Sequence, residues 1–395
     1  MARWIKTLLH RLSTSVVEIF GLLLALPLRA LAPFMRVEVQ EVWAARIGHL
    51  ALEPEMWLCR RAVTPEPRTF TVFYAKKPIA NDFMLTMWRR VLPFGPSALL
   101  DPIYRAGGRW RWLDVRARGW DQRHFDLRAL DARSPHVAFT APERARGEQL
   151  LAELGIAPGQ PFICLAVRDS AYLASTQPDR DWTYHRYRDS RIETYEPMVR
   201  RLADAGYAVL RMGAVVAEPL VTSSPGVVDY ANSGLRSDFA DVFLFANCAM
   251  CISSSTGMDS VAMLFRRPLI LVNLPGAGGC QLGGPLRRVM FKTIIDAQTR
   301  QPLPLMDERR FQAMSFHRTD QYEKSGLELV DNSAEELLAV ADEVLADVSN
   351  DWILPPASDR EREFVERIPT VGRLLGAGFR VSRTWLRTSV ADPEA

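Results

Sequence analysis

The stretch Ser253-Ser254-Ser255-Thr256-Gly257-Met258-Asp259-Ser260 joins a short apolar run to a helical pattern. A strand that ends in small hydroxylated residues and a glycine, with a helix following at once, exposes backbone N–H groups and an aligned dipole to an anion. Gly257 removes the side chain that would keep a phosphate off the backbone. The same residues also make a well-capped turn, since Ser and Thr are favoured caps. No G-K-[ST] follows, so the stretch is not a P-loop. Four arginines fall near it in the expected fold. Arg168 follows the apolar run Phe162 to Val167, Arg186 and Arg188 lie in the next polar loop, and Arg211 ends the run from Tyr207, just before Met212-Gly213. Guanidinium pairs with phosphate oxygens in a bidentate manner. One or two of the four are expected to form structural ion pairs with Asp169, Asp189 or Asp238 instead. Arg168 and Arg188 lead as phosphate ligands. The candidate anion-binding set is therefore Arg168, Asp169, Arg186, Arg188, Arg211, Gly213, Ser254, Ser255, Thr256, Gly257 and Asp259.

These residues need a scaffold, and the second half of the chain supplies one. Strand patterns at Phe162–Val167, Tyr207–Arg211, Val227–Tyr230, Ala249–Ser253, Pro268–Asn273 and Leu327–Val330 alternate with helical patterns at Ile192–Ala205, Asp238–Asn247 and Gly257–Phe265. A last helix follows the capping box Ser333-Ala-Glu-Glu336. Short apolar strands alternating with helices predict a parallel sheet covered on both faces. Ligands bind such sheets at the carboxyl ends of the strands, by the switch point. The first half is less regular, with an extended Val37–Val42, a strand Thr71–Ala75 and a helix Ala80–Val91. Thr140-Ala-Pro-Glu143 opens a helix to about Leu154, and Gly155 to Pro161 punctuates the chain. The predicted organisation is a helical segment 1–35, a Rossmann-like domain 36–155, a second Rossmann-like domain 156–350 and a basic tail 351–395.

Both ends carry amphipathic patterns. Ile5, Leu8, Leu9, Leu12, Val16, Ile19 and Leu23 recur at helical spacing, and the apolar run Ile19–Leu28 is half the length of a spanning helix. From Arg367 to Arg387 a basic face opposes a face with Leu375, Phe379, Trp385 and Leu386. Residues 1–35 and 367–387 are thus expected either to lie on a membrane surface or to pack on the protein. A net charge of +3 from 49 basic and 46 acidic side chains lacks the basic field of a nucleic-acid binder. Five cysteines at irregular spacing argue against a disulfide framework and for a reducing compartment. Cys248 and Cys251 have no second pair to complete a zinc site and are expected to be buried.

The order Arg236 to Asn247, strand, small-residue loop, helix, then Arg267-Pro-Leu-Ile-Leu-Val-Asn273 resembles the donor half of heptosyltransferase-like enzymes of the two-Rossmann GT-B type. Val167-Arg-Asp-Ser170, His185-Arg-Tyr-Arg-Asp-Ser190, Gly206 to Gly213 and Asp229-Tyr230 resemble a bacterial glycosyltransferase family linked to surface-polysaccharide synthesis. The resemblance implies an α/β fold of two Rossmann-type domains facing each other across a cleft, with the candidate set above holding the diphosphate of a nucleotide-sugar donor. It also implies a glycan or lipid-linked acceptor and a cytoplasmic location, peripheral on the inner membrane. In GT-B enzymes without a metal, such arginines stabilise the charge that develops on the leaving nucleoside diphosphate. Asp179-Arg-Asp181 imitates the D-x-D metal motif of the other glycosyltransferase class but sits in a polar loop, so neither metal nor cofactor is expected. Arg46-Ile-Gly48-His49 resembles the R-I-G-D of heptosyltransferases, whose Asp is the base. His49 stands in that place, and imidazole suits general-base work near neutrality. Glu53 and Glu55 are alternatives. Fucosyltransferases also carry an arginine after a comparable strand, which keeps a GDP-type donor open. Two other readings use the same fold: a nucleotide-sugar epimerase or hydrolase, and a non-catalytic nucleotide-binding subunit.

Overall fold

The computed structural model describes residues 17–118, 120, 127–176, 178–277, 283–368 and 379–388. The chain forms two compact units, one of residues 1–129 and 135–139, the other of residues 130–134 and 140–395.

In the first unit, β1 (Arg36–Val42) and β2 (Thr69–Ala75) pair in parallel from Arg36 opposite Thr69 to Val42 opposite Ala75. The helix Ile47–Val63 makes the crossover between them, as a parallel pair requires. Single parallel bridges from Val39 to Arg116 and from Phe73 to Phe94 widen the sheet on both sides. Among the described residues, this sheet has two strands paired along their length, and so is narrower than a full Rossmann sheet. Residues 17–30 are helical. An added Cβ on Gly21 would lie 2.0 Å from the Pro102 carbonyl oxygen, so glycine lets this helix press against the helix Ser97–Arg109. Ala25 is wholly buried, and Leu22, Leu24 and Leu28 pack against its cluster. The opposite stripe, Ile19, Leu23 and Leu26, is exposed at 56%, 60% and 40%. The N-terminal part of the expected amphipathic helix, residues 1–16, lies outside the described residues. Among the described residues no helix is long and apolar enough to cross a membrane.

The second unit is built on β3 (Phe162–Ala166), β4 (Ala208–Arg211), β5 (Val227–Val228), β6 (Met250–Ser253), β7 (Leu269–Leu274) and β8 (Leu286–Phe291). β9 (Thr293–Asp296) and β10 (Leu327–Val330) form a separate antiparallel pair, and β11 (Arg380–Val381) returns to the main sheet. The main sheet runs β11-β8-β7-β6-β3-β4-β5 with every pairing parallel. Every residue of β3, β4, β6 and β7 is buried, the signature of strands covered on both faces. The chain runs outward through β4 and β5, then crosses back to lay β6 on the other side of β3. The reversal between β3 and β6 is the switch point of this sheet.

Three sequence expectations change here. Leu327–Val330 is not a member of the parallel sheet. Its burial alternates along the strand, which fits an antiparallel pair with one open face. The helix Ala141–Glu153 belongs to the second unit rather than the first, because Gly147 packs under the Phe243 ring and the Arg146 guanidinium sits 4.1 Å over Phe239. The apolar face of the C-terminal tail is not offered to a membrane over residues 379–388. Val381 and Trp385 are wholly buried, and the Trp385 ring lies 5.4 Å from both Phe291 and Phe364. Residues 369–378 of that tail lie outside the described residues. Behind the tail, Arg288 is buried with Glu343 at 2.8 Å and Asp347 at 2.5 Å. Glu343 also accepts hydrogen bonds from Ser382 and Thr384, which ties the returning segment to the helix Ala334–Ser349. Cys164, Cys248 and Cys251 are wholly buried, and burial pushes the Cys164 and Cys251 thiols up, away from redox chemistry.

Candidate functional site

The small-residue loop leaves β6 at the switch point. The Ser254 amide donates to the Ala166 carbonyl at 3.0 Å, and the Arg168 amide donates to Ser254 Oγ at 2.8 Å. The loops after β6 and β3 are therefore stitched together. Ser255 has φ +66°, a region that side chains other than glycine enter at a cost. Arg188 holds it there. Its Nη2 donates to the Ser255 carbonyl at 2.7 Å and to Ser255 Oγ at 3.0 Å. Arg168 Nε lies 3.7 Å from Asp189, and the Arg168 carbonyl accepts from the Ser190 amide. Arg186 is exposed on the same 3-10 turn, Thr183–Arg188.

The helix start itself is occupied by its own residue. Asp259 accepts from the Thr256 amide at 3.0 Å and from Thr256 Oγ1 at 3.1 Å, and Thr256 Oγ1 in turn accepts from the Met258 amide. A native carboxylate thus takes the place that was expected for a phosphate at this turn. Burial pushes the Asp259 carboxyl up to about 6, against hydrogen bonds from Ser253 and Thr256 and the charge of Arg188. Thr256 and Asp259 thus bond to each other in the turn that leads into the helix Asp259–Leu264, and Gly257 lies between them.

Other members of the expected set have local duties. Arg211 is 1% exposed, donates to the Glu218 carbonyl at 2.8 Å and pairs with Asp229 at 3.4 Å. It is a structural cation, because its side chain runs back into the fold. Asp169 accepts from the Ala171 and Ala217 amides, both at 2.9 Å, and so pins the loop after β4. A Cβ on Gly213 would meet Val216 Cγ1 at 2.4 Å, so this glycine serves the packing of its own loop. Asp181 accepts from the Thr183 amide and caps its turn. Arg168, Arg186, Arg188, Ser254 and Ser255 are the residues brought together at the switch point.

Lys292 was not anticipated. It is buried, donates to the Asp189 carbonyl at 2.5 Å and pairs with Asp331 at 2.8 Å. Burial raises the Asp189 carboxyl, opposed by Arg168 and Lys292. A second unanticipated feature lies beside it. Asn273, with φ +52°, donates through Nδ2 to Ser190 Oγ and Tyr195 OH, both at 2.9 Å. Its amide and Oδ1 bond to Asn332, whose Nδ2 reaches the Phe291 carbonyl. Burial pushes the Tyr195 phenol up to about 12.

In the first unit, His49 sits in the first turn of the helix Ile47–Val63. Its Nδ1 lies 2.7 Å from Glu53 Oε1, one turn on. A carboxylate only accepts, so Nδ1 is the donor in this contact. The Trp43 ring lies 4.3 Å from the imidazole and Arg46 stacks on Trp43. Glu53 is therefore the partner of His49 rather than its rival. Glu55 is wholly buried and engaged with His136 and Cys59, which removes it as an exposed base.

No family model matches this chain, and no curated protein matches it. Solved structures do. The chain is similar to the ADP-heptose lipopolysaccharide heptosyltransferase II of E. coli, at 12% identity and a TM-score of 0.43, over 80% of this chain and 99% of that one. It is similar to a glycosyl transferase of family 9 from Veillonella parvula, at 9% identity and a TM-score of 0.47, over 79% and 97%. It is also similar to the dodecameric iron-containing heptosyltransferase TibC in complex with ADP-D-beta-D-heptose, at 12% identity and a TM-score of 0.34, over 80% and 76%.

Proposed function

We propose that this chain transfers a glycosyl group from a nucleotide-sugar donor to a glycan or lipid-linked acceptor in cell-surface polysaccharide synthesis. The observation that carries the reading is the meeting of Arg168, Arg188 and the constrained Ser255 at the reversal between β3 and β6. Open α/β sheets bind their ligands at that point. Both hydrogens of Arg188 Nη2 are directed to Ser255, leaving the N–H groups of Nη1 and Nε for the donor diphosphate. As the bond from the sugar to the diphosphate breaks, negative charge grows on the leaving group, and fixed guanidinium groups stabilise it. His49 Nε2 accepts the proton of the acceptor hydroxyl as the new glycosidic bond forms, and Glu53 stabilises the resulting imidazolium. The exposed stripe Ile19, Leu23 and Leu26, with Phe34 78% and Trp112 61% exposed in the same unit, supports a peripheral position on the inner membrane, where a lipid-linked acceptor would be met.

The test begins with thermal shifts in UDP, GDP, ADP, CMP and dTDP. Stabilisation by a nucleoside diphosphate is expected, and none by any of them would refute the donor site. With the donor identified, His49→Ala should bind it normally and turn over about 10²–10⁴-fold more slowly, with Glu53→Gln falling between. Lost nucleotide binding in His49→Ala would sink the base assignment. Donor consumption without any added acceptor favours an epimerase or hydrolase, and binding with no consumption favours a non-catalytic subunit.

A further inference from the structure

A second cluster in the first unit serves none of this chemistry. Glu55 and Cys59 lie one turn apart on the helix Ile47–Val63, so their side chains leave the same face. Both are wholly buried. His136 comes from the short segment 135–139, which rejoins the first unit after the chain has entered the second. His136 Nδ1 lies 3.1 Å from Glu55 Oε2, and Cys59 Sγ lies 3.8 Å from Glu55 Oε1. One ligand atom from each residue falls within 4.8 Å of the others.

We propose that Glu55, Cys59 and His136 bind a divalent metal ion of the zinc class. Bonds of about 2.0 Å to oxygen and nitrogen and about 2.3 Å to sulfur give tetrahedral edges of roughly 3.3 Å between oxygen and nitrogen and roughly 3.5 Å between oxygen and sulfur. The 3.1 Å contact of His136 Nδ1 is with Glu55 Oε2 and the 3.8 Å contact of Cys59 Sγ is with Oε1, so both carboxylate oxygens face the site, and the three ligand atoms, within 4.8 Å of one another, need only small side-chain shifts to reach those edges. The mixed oxygen, nitrogen and sulfur set suits Zn²⁺ or Co²⁺ and is too soft for Mg²⁺ or Ca²⁺. Charge balance favours the ion too. A carboxylate and a thiolate together neutralise a divalent cation, so the occupied site is electrically neutral where burial makes net charge costly. On binding, the Cys59 thiol gives its proton to solvent and a metal–sulfur bond forms. His136 binds through Nδ1 and carries its ring proton on Nε2. Three protein ligands leave a fourth position open, the count of a catalytic rather than a closed structural site. The ion also fastens segment 135–139 to the helix Ile47–Val63.

The test uses the full chain, stripped with a chelator and titrated with Co²⁺. One equivalent should bind with the thiolate-to-cobalt charge-transfer absorption of a sulfur-ligated site, and Zn²⁺ should displace it. Cys59→Ala should abolish that absorption. His136→Ala, at a half-exposed position, should fold normally and weaken Co²⁺ binding more than about tenfold. Zn²⁺ should raise the melting temperature of the wild-type chain and not of His136→Ala. Absence of the absorption in the wild type, or unchanged Co²⁺ affinity in His136→Ala, would overturn the proposal. If Cys59→Ala does not fold, the His136→Ala titration and melting comparison decide the matter alone.

Discussion

Replacing Arg188 with alanine isolates the donor reading. In the native loop, Arg188 Nη2 holds Ser255 through its carbonyl and its hydroxyl. A charge-assisted hydrogen bond contributes about 1.5–3 kcal/mol, and the left-handed conformation of Ser255 costs about 1–2 kcal/mol to maintain. Removing the guanidinium therefore deletes a phosphate contact and also frees Ser255 to leave the geometry that faces the ligand. Together these come to roughly 2.5–5 kcal/mol, a weakening of about 70-fold to several thousandfold. Titration calorimetry with the diphosphate chosen by the thermal screen reads this directly. Arg188→Lys keeps a charge but cannot serve Ser255 and a phosphate with one planar fork, and should fall between. Arg186→Ala, on the exposed side of the same turn, should weaken binding less. If Arg188→Ala binds within threefold of wild type and melts at the same temperature, the guanidinium does not hold the donor and the site must be sought elsewhere.

Asp259 makes a pH prediction. Its carboxyl is raised by burial to about 6 from an ordinary 3.8, so between those values the folded state binds the proton and the unfolded state does not. This group's contribution to stability is fully present below about 4 and is lost as pH rises through about 6, by about 3 kcal/mol in total. Denaturant melts at pH 4.5 and 7.5 should show that slope in wild type and not in Asp259→Asn, and equal slopes would contradict it. Gly147→Ala should lower the melting temperature. Its Cβ would sit 2.0 Å from the buried Phe243 ring, and overpacking of about 1–3 kcal/mol exceeds the gain of up to about 1 kcal/mol that alanine brings to a helix. A rise in melting temperature would mean that this helix does not pack on Phe243. Trp385→Ala should cost about 3–5 kcal/mol and leave vesicle flotation unchanged. The reverse result, normal stability with lost flotation, would return the tail to a lipid surface.

The second half of the chain was legible because its strands are short, apolar and punctuated. The helix Asp238–Asn247 matches the sequence reading residue for residue. β8 was not, because Arg287 and Arg288 interrupt its apolar run. Arg288 is buried only because Glu343 and Asp347, more than fifty residues on, neutralise it. Arg211 looked like a phosphate ligand from its place after a strand, and only the Asp229 carboxylate and the Glu218 carbonyl disclose its structural duty. Asp259 reads in sequence as a residue of the anion loop, yet its bonds to Thr256 make it the anion already present. His49 and Glu53 stand at a helical i, i+4 spacing that could have revealed the pair. His136 could not have been joined to Glu55 and Cys59, since no local periodicity connects residues about eighty positions apart.

The Asn273 network has a consequence for how a ligand is met. Ser190, two residues after Arg188, is fastened to Asn273 and Tyr195 inside the core. Tyr187, one residue before Arg188, is buried against Tyr322, and its amide donates to Thr319. Arg188 thus stands on a segment clamped on both sides, and its conformational freedom is lost during folding rather than on association. Loosening that clamp, as Asn273→Ala would, should show as a slower association and a less favourable binding entropy, with the side chain of Arg188 itself unaltered.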